Sequence, residues 1–232
     1  MSGVVVPISG GMDSTVLLHH AAASYDNVYA ISFDYGQRHV RELECAQFQV
    51  NSLKDKIRKY QIIKLPFFRD IGASSLTDHS IDVAKTRDVC GEAQTVNYVP
   101  FRNMMLLSIA CSFAESFGAN TVYHGAAQAD SVAGFWDGAD SFIHAINDVI
   151  KLNRMNKINI EAPLISKSKQ EIIEMGVALG VDFNQTWTCY EGTNTACGEC
   201  TACSLRLQGF IQAGIRDPLS YSKSIPWEKL ID

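Results

Sequence analysis

The chain contains 232 residues, of which 47% are hydrophobic, and it carries a formal net charge of -5 at pH 7. A chain of this length can bury one substantial core, and its acidic balance argues against a broad nucleic-acid-binding surface. No apolar run is long enough to cross a bilayer, and the N-terminus lacks the series of charged and apolar residues that marks a signal peptide. We therefore expect a cytoplasmic protein that acts on a small molecule and has no membrane partner.

The first predicted element is a strand at residues 4–6, which leads through a glycine-rich turn into a helix. The turn has the sequence Ser9-Gly10-Gly11-Met12-Asp13-Ser14. Its two glycines let the backbone approach an anion closely, and its hydroxyl groups lie beside the free N–H groups of a helix N-terminus. The turn therefore suits a phosphate, although an ordinary βα turn capped by Asp13 or Ser14 has the same general pattern.

The next segments alternate between strand and helix patterns. Residues 28–33 predict a strand, apolar residues at 43–50 recur at helical spacing, and residues 62–65 predict a short strand closed by a proline. This alternation predicts a parallel sheet with helices on both faces, where ligands bind beyond the carboxyl ends of the strands. The glycine turn and the polar residues 34–39 would share that edge. The long connection at residues 67–100 is either a substrate lid or a solvated surface loop.

Farther along the chain, the apolar residues 104–114 predict a buried helix with Arg102 at its start. A cation at a helix N-terminus is useful where a phosphate or carboxylate binds, although an arginine there can also simply reach solvent. A strand at residues 121–125 ends in Gly125, which could admit a flat ring. Residues 130–140 then form a loop that carries two aromatic residues and three aspartates, which suits either a heterocycle or a packed surface loop.

Two more helices are predicted after this loop. Apolar residues within 142–150 mark an amphipathic helix whose face is either core or a subunit contact. Ser168 and Glu171 form a capping box, which places a helix start at Ser168 and Lys169 in its first turn, and Gly180 ends that helix. A lysine there can complete an anion site, although a solvated surface lysine is the commoner case.

Four of the seven cysteines are concentrated near the C-terminus, at Cys189, Cys197, Cys200 and Cys203. Two C-x-x-C steps, the first with a glycine, are typical of a knuckle whose sulfurs converge on tetrahedral Zn²⁺. Four thiolates leave no open coordination position, so we predict a structural zinc. An iron–sulfur cluster is the alternative metal centre, and a redox-active dithiol would need fewer cysteines.

The glycine turn matches the SGGxDS signature of the PP-loop ATP pyrophosphatases, and other motifs narrow the resemblance. In chain order they are Tyr35-Gly36-Gln37-Arg38-His39, Ser74-Ser75-Leu76-Thr77, Val99-Pro100-Phe101-Arg102-Asn103, Pro163-Leu164-Ile165, and Thr186-Trp187-Thr188-Cys189-Tyr190 with its cysteines. Together they resemble the 7-cyano-7-deazaguanine synthase family. The resemblance implies an α/β fold with a doubly wound, mainly parallel sheet of the adenine nucleotide alpha hydrolase type. Residues 1–185 would form the PP-loop domain, and residues 186–232 would form a small zinc-binding segment packed on it.

The resemblance also implies an ATP-dependent reaction in queuosine-type biosynthesis. ATP would adenylate the carboxylate of 7-carboxy-7-deazaguanine, and ammonia would displace AMP to give an amide. A second ATP would then activate the amide oxygen, which leaves a nitrile. The implied cofactors are Mg²⁺ and a structural Zn²⁺, and the implied assembly is a homodimer.

The resemblance assigns roles to particular residues. Asp13, Arg102 and Lys169 would be catalytic, with Arg102 and Lys169 neutralising charge at the α-phosphate. ATP and its Mg²⁺ would be bound by Ser9, Gly10, Gly11, Asp13, Ser14, Ser32, Phe33 and Gly125. The deazaguanine substrate would be bound by Tyr35, Arg38, Asp130, Phe135 and Asp137.

One loop departs from the family pattern. Members typically carry a string like GYPDCR, whereas this chain has Gly134-Phe135-Trp136-Asp137-Gly138-Ala139 and so lacks the arginine. An enzyme that stops at 7-amido-7-deazaguanine is therefore an alternative. A tRNA-modifying PP-loop enzyme is a second alternative, which the acidic balance argues against, and a catalytically silent nucleotide-binding module is a third.

Overall fold

A computed structural model of the chain describes residues 3–38, 40–71, 74–78, 80–83, 85, 96–127, 135–191 and 194–231. Five strands lie in this part of the chain and form one parallel sheet in the order β3-β2-β1-β4-β5. The strands are β1 (Gly3–Pro7), β2 (Asn27–Asp34), β3 (Ile57–Lys64), β4 (Thr121–Tyr123) and β5 (Asn159–Glu161). The predicted α/β fold with a parallel sheet is confirmed.

Helices connect the strands and cover the sheet. They are α1 (Met12–Ser24), α2 (Val40–Ser52), α3 (Phe68–Ile71), α4 (Arg102–Phe117), α5 (Asp140–Ile150), α6 (Lys169–Ala178), α7 (Thr201–Gln212) and α8 (Trp227–Leu230). Helix α6 begins at the predicted capping box, because Ser168 Oγ accepts a hydrogen bond from the Glu171 amide and the Glu171 carboxylate accepts one from the Ser168 amide. No helix in the described ranges is both long and apolar enough to cross a membrane.

The hydrophobic core lies on both faces of the sheet, as expected for a doubly wound fold. Val4 and Val6 of β1 face one side, where they pack with apolar residues of α1, α2, α6 and α7. Val5 faces the other side, where it packs with residues of α4 and α5. Since alternate residues of a strand point to opposite faces, the uninterrupted valine run of β1 reflects burial on both sides.

Strand β3 is longer than predicted. Residues 62–65 were expected as the strand, whereas β3 spans Ile57–Lys64 and Leu65 lies beyond it. Its only partner among the described strands is β2, so it forms an edge of the sheet, and most of its side chains are exposed. Arg58 and Lys59 therefore fit there without any apolar alternation, which is why only the end of the strand carried a hydrophobic signal.

A fully buried ion pair fixes the C-terminal part of the chain. Arg206 of α7 donates two hydrogen bonds to Asp217, with Nε–Oδ2 and Nη2–Oδ1 distances of 2.6 and 2.9 Å. The same guanidinium donates to Thr186 Oγ1 at 2.7 Å and to the Phe183 carbonyl at 3.0 Å. These bonds join α7 to the chain on both sides of the cysteine cluster. The boundary proposed at residue 185 between two domains remains a prediction.

Replacing Arg206 with methionine is expected to lower the free energy of unfolding by about 3–5 kcal/mol, because it leaves the Asp217 carboxylate buried without its partner. Urea unfolding of the variant and the wild-type protein measures this difference. Arg216→Met is the matched control, since Arg216 is exposed on the adjacent segment. A cost below about 1 kcal/mol for Arg206→Met would contradict the prediction.

Candidate active site

The loop between β1 and α1 lies at the carboxyl edge of the central strand. Gly10 has a φ of 87°, in the region that favours glycine, and no side chain of the described residues caps the N-terminus of α1. Ser9 Oγ lies 2.9 Å from Ser14 Oγ and accepts a hydrogen bond from the Gly11 amide at 3.1 Å. The strand order reverses between β1 and β4, so the loop opens at the switch point where doubly wound sheets bind ligands.

Two other parts of the chain hold this loop. A Cβ atom on Gly10 would overlap the backbone carbonyl of Glu42 in α2 and would lie 2.8 Å from the amide nitrogen of Ala46. On the other side, the Trp187 amide donates a hydrogen bond to the Gly10 carbonyl at 2.9 Å. The loop is therefore positioned by backbone contacts with α2 and with the segment that leads into the cysteine cluster.

Asp13 and Lys169 form an ion pair across the site. Lys169 Nζ lies 2.7 Å from Asp13 Oδ2, and the lysine and aspartate side chains are 11% and 27% exposed. Asp13 Oδ1 is buried and has no hydrogen-bond partner within the described ranges. A carboxylate oxygen without a partner, beside the turn that is predicted to bind phosphate, fits a ligand for Mg²⁺, which prefers oxygen donors.

Arg102 and Tyr35 meet on the other side of the same edge. Arg102 begins α4 directly after Phe101, whose φ of 53° is unusual for a residue other than glycine. Arg102 Nη1 donates to the Tyr35 hydroxyl at 3.1 Å. The negative potential of Tyr35 raises the pKa of Arg102, with further contributions from Tyr190 and Asp137, while burial opposes the shift. The guanidinium is thus held as a cation at a helix N-terminus.

Glu42 is a residue that the sequence analysis missed. It lies in the first turn of α2 near Tyr35 and Arg102, and burial raises its pKa to about 8 even though the charge of Arg102 acts in the opposite direction. Burial likewise raises the pKa of Tyr35. An acidic residue in the first turn of a helix is common, so the sequence around Glu42 carried no functional signal.

The residues predicted to receive adenine lie near the end of β2 and just after β4. The hydroxyl of Ser32 donates to the Ile8 carbonyl at 2.6 Å and accepts from the Tyr60 hydroxyl at 2.9 Å, so its side chain joins neighbouring strands. Phe33 is buried in the core. Gly125 is different, since a Cβ atom there would meet no atom of the described residues within 4 Å. An adenine ring at this edge would therefore contact backbone groups rather than the side chains of Ser32 and Phe33.

The predicted substrate residues are only partly brought together. Arg38 Nε donates to the Ser75 carbonyl at 2.6 Å, and its Nη2 donates to the Asp78 carbonyl at 3.0 Å, so its guanidinium ties down the connection after α3. Asp137 is buried and Phe135 is half-buried, and the charge of Asp137 acts on Arg102. Asp130 and Gly134 lie outside the described residues.

The connection from α3 to α4, where a lid or a solvated loop was predicted, contains a buried segment. Ser74, Ser75, Leu76 and Thr77 are each at most 7% exposed. The Ser75 hydroxyl donates to Asn97 Oδ1 at 2.6 Å, which joins the two ends of the connection. The solvated-loop alternative is therefore wrong for these residues. Many residues of the connection lie outside the described part of the chain.

A group of aromatic side chains flanks Arg102 and was also missed. The Tyr98 hydroxyl accepts hydrogen bonds from the Phe101 amide at 3.2 Å and from Trp136 Nε1 at 3.1 Å. The rings of Phe101 and Trp136 meet edge to face, with centroids 5.4 Å apart. Phe101 and Trp136 are 35 positions apart in the sequence, so no local sequence pattern indicates that their rings meet in the folded protein.

The four C-terminal cysteines converge as predicted. Their sulfurs all lie within 4.8 Å of one another, and Cys197 Sγ lies 3.9 Å from Cys203 Sγ. A tetrahedral site with metal–sulfur bonds of about 2.3 Å has edges of about 3.8 Å, so the arrangement fits a four-thiolate metal site. Backbone amides also point to the sulfurs, including that of Cys197 to Cys189 Sγ at 3.2 Å, which stabilises thiolates. This cluster could bind a metal.

The cysteine cluster and the glycine loop are linked through one residue. Trp187 is 1% exposed, its Nε1 donates to the Cys189 carbonyl at 3.1 Å, and its amide donates to the Gly10 carbonyl. The guanidinium of Arg41 lies 4.1 Å from the centre of the Trp187 ring. Trp187 therefore connects the predicted metal site with the predicted phosphate site.

Comparison with known proteins agrees with this architecture. Residues 3–214 match a family model described as "Queuosine biosynthesis protein QueC". A 7-cyano-7-deazaguanine synthase of Thermoplasma volcanium is 41% identical over 223 residues, which cover 94% of this chain and 90% of the relative. One of Psychromonas ingrahamii is 41% identical over 219 residues, covering 94% and 97%.

Two solved structures share the fold at low sequence identity. An NMN synthetase from Francisella tularensis has a TM-score of 0.53 and 14% identity, with 99% of this chain and 82% of that chain covered. An NH3-dependent NAD synthetase from Campylobacter jejuni has a TM-score of 0.51 and 17% identity, with 79% and 66% covered.

The parallel sheet, its strand order and the glycine loop at the switch point define a doubly wound α/β protein, whose fold these two synthetases share. Within that class the match over residues 3–214 is decisive, and the chain belongs to the QueC family of queuosine biosynthesis proteins.

Proposed function

We propose that the protein is an ATP-dependent carbon–nitrogen ligase that converts 7-carboxy-7-deazaguanine and ammonia to 7-cyano-7-deazaguanine. The observation that carries this proposal is the convergence of the SGGxDS loop, the Asp13–Lys169 pair and Arg102 at one sheet edge, in a chain 41% identical to proteins named for that product. The alternatives of a silent module and a tRNA-modifying enzyme explain this combination less well.

The chemistry explains why ATP is needed. A carboxylate oxygen and an amide oxygen are both poor leaving groups, and joining each to the α-phosphate of ATP removes that barrier. The reaction would therefore pass through an adenylated acid, an amide and an adenylated amide. Cations placed where charge develops on the phosphate stabilise each transition state.

The proposed site residues fall into one group that would bind ATP and one that would bind the deazaguanine. Ser9, Gly10, Gly11 and Ser14 would hold the polyphosphate, and Asp13 Oδ1 would bind its Mg²⁺, while Lys169 and Arg102 would neutralise charge at the α-phosphate. Adenine would lie against the backbone near Ser32, Phe33 and Gly125. The deazaguanine would be bound by Tyr35, Asp137, Phe135, Asp130 and Arg38.

The remaining parts of the proposal concern the metal and the assembly. Zinc is the metal that best suits four converging thiolates with no open position, and its role would be structural. We also propose that the protein is a cytoplasmic homodimer. Metal analysis that finds iron with labile sulfide instead of zinc would refute the zinc assignment.

The loop that lacks the family arginine supports a second candidate function. Ala139 stands at the position of that arginine and caps α5 without any side-chain hydrogen bond. It follows two residues after the buried Asp137, whose charge acts on Arg102. If the missing cation normally assists the second adenylation, the reaction would end at 7-amido-7-deazaguanine.

A single assay distinguishes these functions. The purified protein is incubated with ATP, Mg²⁺, ammonium and 7-carboxy-7-deazaguanine, and products are identified by mass spectrometry while AMP and pyrophosphate are quantified. The proposal predicts the nitrile with two AMP per product. The amide with one AMP would establish the second candidate, and an absence of AMP would refute both.

Replacing Arg102 with alanine is expected to lower the rate of AMP formation by about 100-fold, because the transition state loses a buried cation. Steady-state assays of AMP release measure this loss. Lys64→Ala is the control, since Lys64 is an exposed cation at the carboxyl end of β3. An Arg102→Ala protein with full turnover would remove Arg102 from the proposed mechanism.

A further inference from the structure

Helix α7 makes a very close contact with the start of α6. Gly209 is a buried residue in the interior of α7. A Cβ atom at this position would lie 2.8 Å from the Cβ of Lys169 and 3.2 Å from the carbonyl carbon of the same residue. It would also lie 2.9 Å from Cδ1 of Ile173, one turn farther along α6. Carbon atoms in contact are usually about 3.5–4.0 Å apart, so only glycine fits here.

The conformation of α7 does not itself require a glycine at position 209. Gly209 does not have a positive φ, and glycine in the middle of a helix is less stable than alanine. What the missing side chain permits is the close approach of the two helices. The atom that this approach positions is the Cβ of Lys169, from which the side chain extends to place Nζ 2.7 Å from Asp13 Oδ2.

The side chain of Lys169 has little freedom to compensate for a shift of its own backbone. Only 11% of the side chain is exposed, so most of its stem is packed against other atoms of the protein. Its partner Asp13 lies in the first turn of α1, so the ion pair depends on where α6 begins relative to α1. A pair at 2.7 Å that is lengthened by about 1 Å leaves hydrogen-bonding range.

Helix α7 is the more firmly held of the two elements at this contact. Arg206, one turn before Gly209, is 1% exposed and forms the buried ion pair described above. The helix also begins at the cysteine cluster, where Cys200 Sγ accepts a hydrogen bond from the Cys203 amide at 3.5 Å. By contrast, Lys169 is the first residue of α6, and the capping-box bonds before it are exposed to solvent. An atom added at position 209 would therefore displace the start of α6.

We propose that Gly209 is a positioning residue that holds Lys169 within reach of Asp13 and of the α-phosphate. This inference rests on the function proposed above, in which Lys169 neutralises charge on that phosphate. Gly209 acts by its lack of a side chain, which lets the start of α6 approach α7. Because α7 begins at the cysteine cluster, this contact is a second connection between the cluster and the phosphate site, beside that of Trp187.

Gly209→Ala tests this role through the kinetics of AMP formation. The added Cβ would displace the start of α6 by about 1 Å, and a misplacement of that size can cost about 100-fold in rate. We expect kcat to fall by about 100-fold, while KM for ATP stays within about 3-fold of wild type, because Lys169 acts on charge that develops in the transition state. Steady-state assays with 7-carboxy-7-deazaguanine and ammonium measure both constants. Full turnover by the variant would overturn the proposal.

A double-mutant cycle shows whether the effect passes through Lys169. In the Lys169→Ala background no ammonium group remains to be positioned. Adding Gly209→Ala to that background should therefore change kcat by less than about 2-fold. A loss of the same size in both backgrounds would contradict the proposal, because Gly209 would then affect the rate by a route that does not involve Lys169.

A further variant separates the contact with Ile173. Ile173→Val removes Cδ1 and so relieves the overlap at 2.9 Å, but the overlap with Lys169 remains. Ile173→Val/Gly209→Ala is therefore expected to keep the low kcat of Gly209→Ala and to melt closer to wild type. Recovery of kcat would show that Ile173, and not Lys169, transmits the effect. The same protein replaces Gly209→Ala if the single variant does not fold, and failure of both to fold would also refute a positioning role.

Gly176→Ala is the matched control for crowding between helices. Gly176 is a buried glycine in the interior of α6, and a Cβ atom there would overlap Cζ of Phe183 and lie 2.8 Å from Cγ2 of Val16. These atoms are the ends of side chains, which can rotate away. We expect this variant to melt about 5 °C lower than wild type, with kcat within about 3-fold. An equal fall of kcat in both alanine variants would overturn the proposal, whereas a wild-type protein that forms no AMP would instead refute the proposed function.

Discussion

Removing the metal from the four-cysteine cluster is expected to lower the melting temperature of the protein by more than about 10 °C, measured by scanning calorimetry after chelation. The four sulfurs lie within 4.8 Å of one another, and three of the four cysteines are fully buried. Without a cation, thiolates this close repel each other, and thiols in their place lose the bonds that hold the segment together.

The loss should also reach the phosphate loop, because Trp187 joins the Cys189 carbonyl to the Gly10 carbonyl. We expect ATP-dependent turnover to fall with the metal and to return when Zn²⁺ is restored. Cys203→Ser should reproduce the effect, whereas Cys111→Ser, at a half-buried thiol in α4, should not. Chelated protein that melts at the original temperature would show that the cluster does not hold a structural metal.

Gly10→Ala is expected to lower the rate of AMP formation by about 1000-fold or more and to destabilise the protein by about 3 kcal/mol. The residue has a φ of 87°, and the new Cβ would overlap the Glu42 carbonyl. Backbone atoms cannot rotate away as a flexible side chain can, so the loop and α2 must move apart. A displacement of about 1 Å at a phosphate site is enough to impair positioning severely.

Gly214→Ala separates the cost of placing alanine at a positive φ from the effect of the close contact with α2. Gly214 also has a positive φ, of 66°, but a Cβ atom there would meet nothing within 4 Å in the described part of the chain. Its replacement should cost only about 1 kcal/mol for the backbone conformation and leave turnover unchanged. If the two variants had equal activity, close packing of Gly10 against α2 would not be needed for the reaction.

Much of the fold could be predicted because its signals are local. The valine run of β1, the alternation of strand and helix patterns, and the Ser168–Glu171 capping box each depend on residues close together in sequence. The edge strand β3 was predicted too short, because solvent-exposed strands need no apolar pattern.

The candidate site was less predictable, because many of its contacts join residues that are far apart in the sequence. The glycine loop and the cysteine knuckle are compact motifs whose chemistry is visible in their spacing. Arg38 carried a motif as well, yet its guanidinium binds the carbonyls of Ser75 and Asp78, which the motif did not reveal. Its proposed contact with substrate remains a prediction, as does that of Asp130.

The sequence by itself determined the PP-loop, the order of strands and helices, and the set of four cysteines, since these depend on residue type and short-range spacing. Only the tertiary structure decided that Lys169 pairs with Asp13 across 156 positions and that Trp187 joins the cysteine cluster to Gly10. It also decided that burial raises the pKa of Glu42, on which the charge of Arg102 acts in the opposite direction. Burial and long-range proximity control the charge state of a carboxyl group, and neither is encoded in the few residues that surround it in the chain.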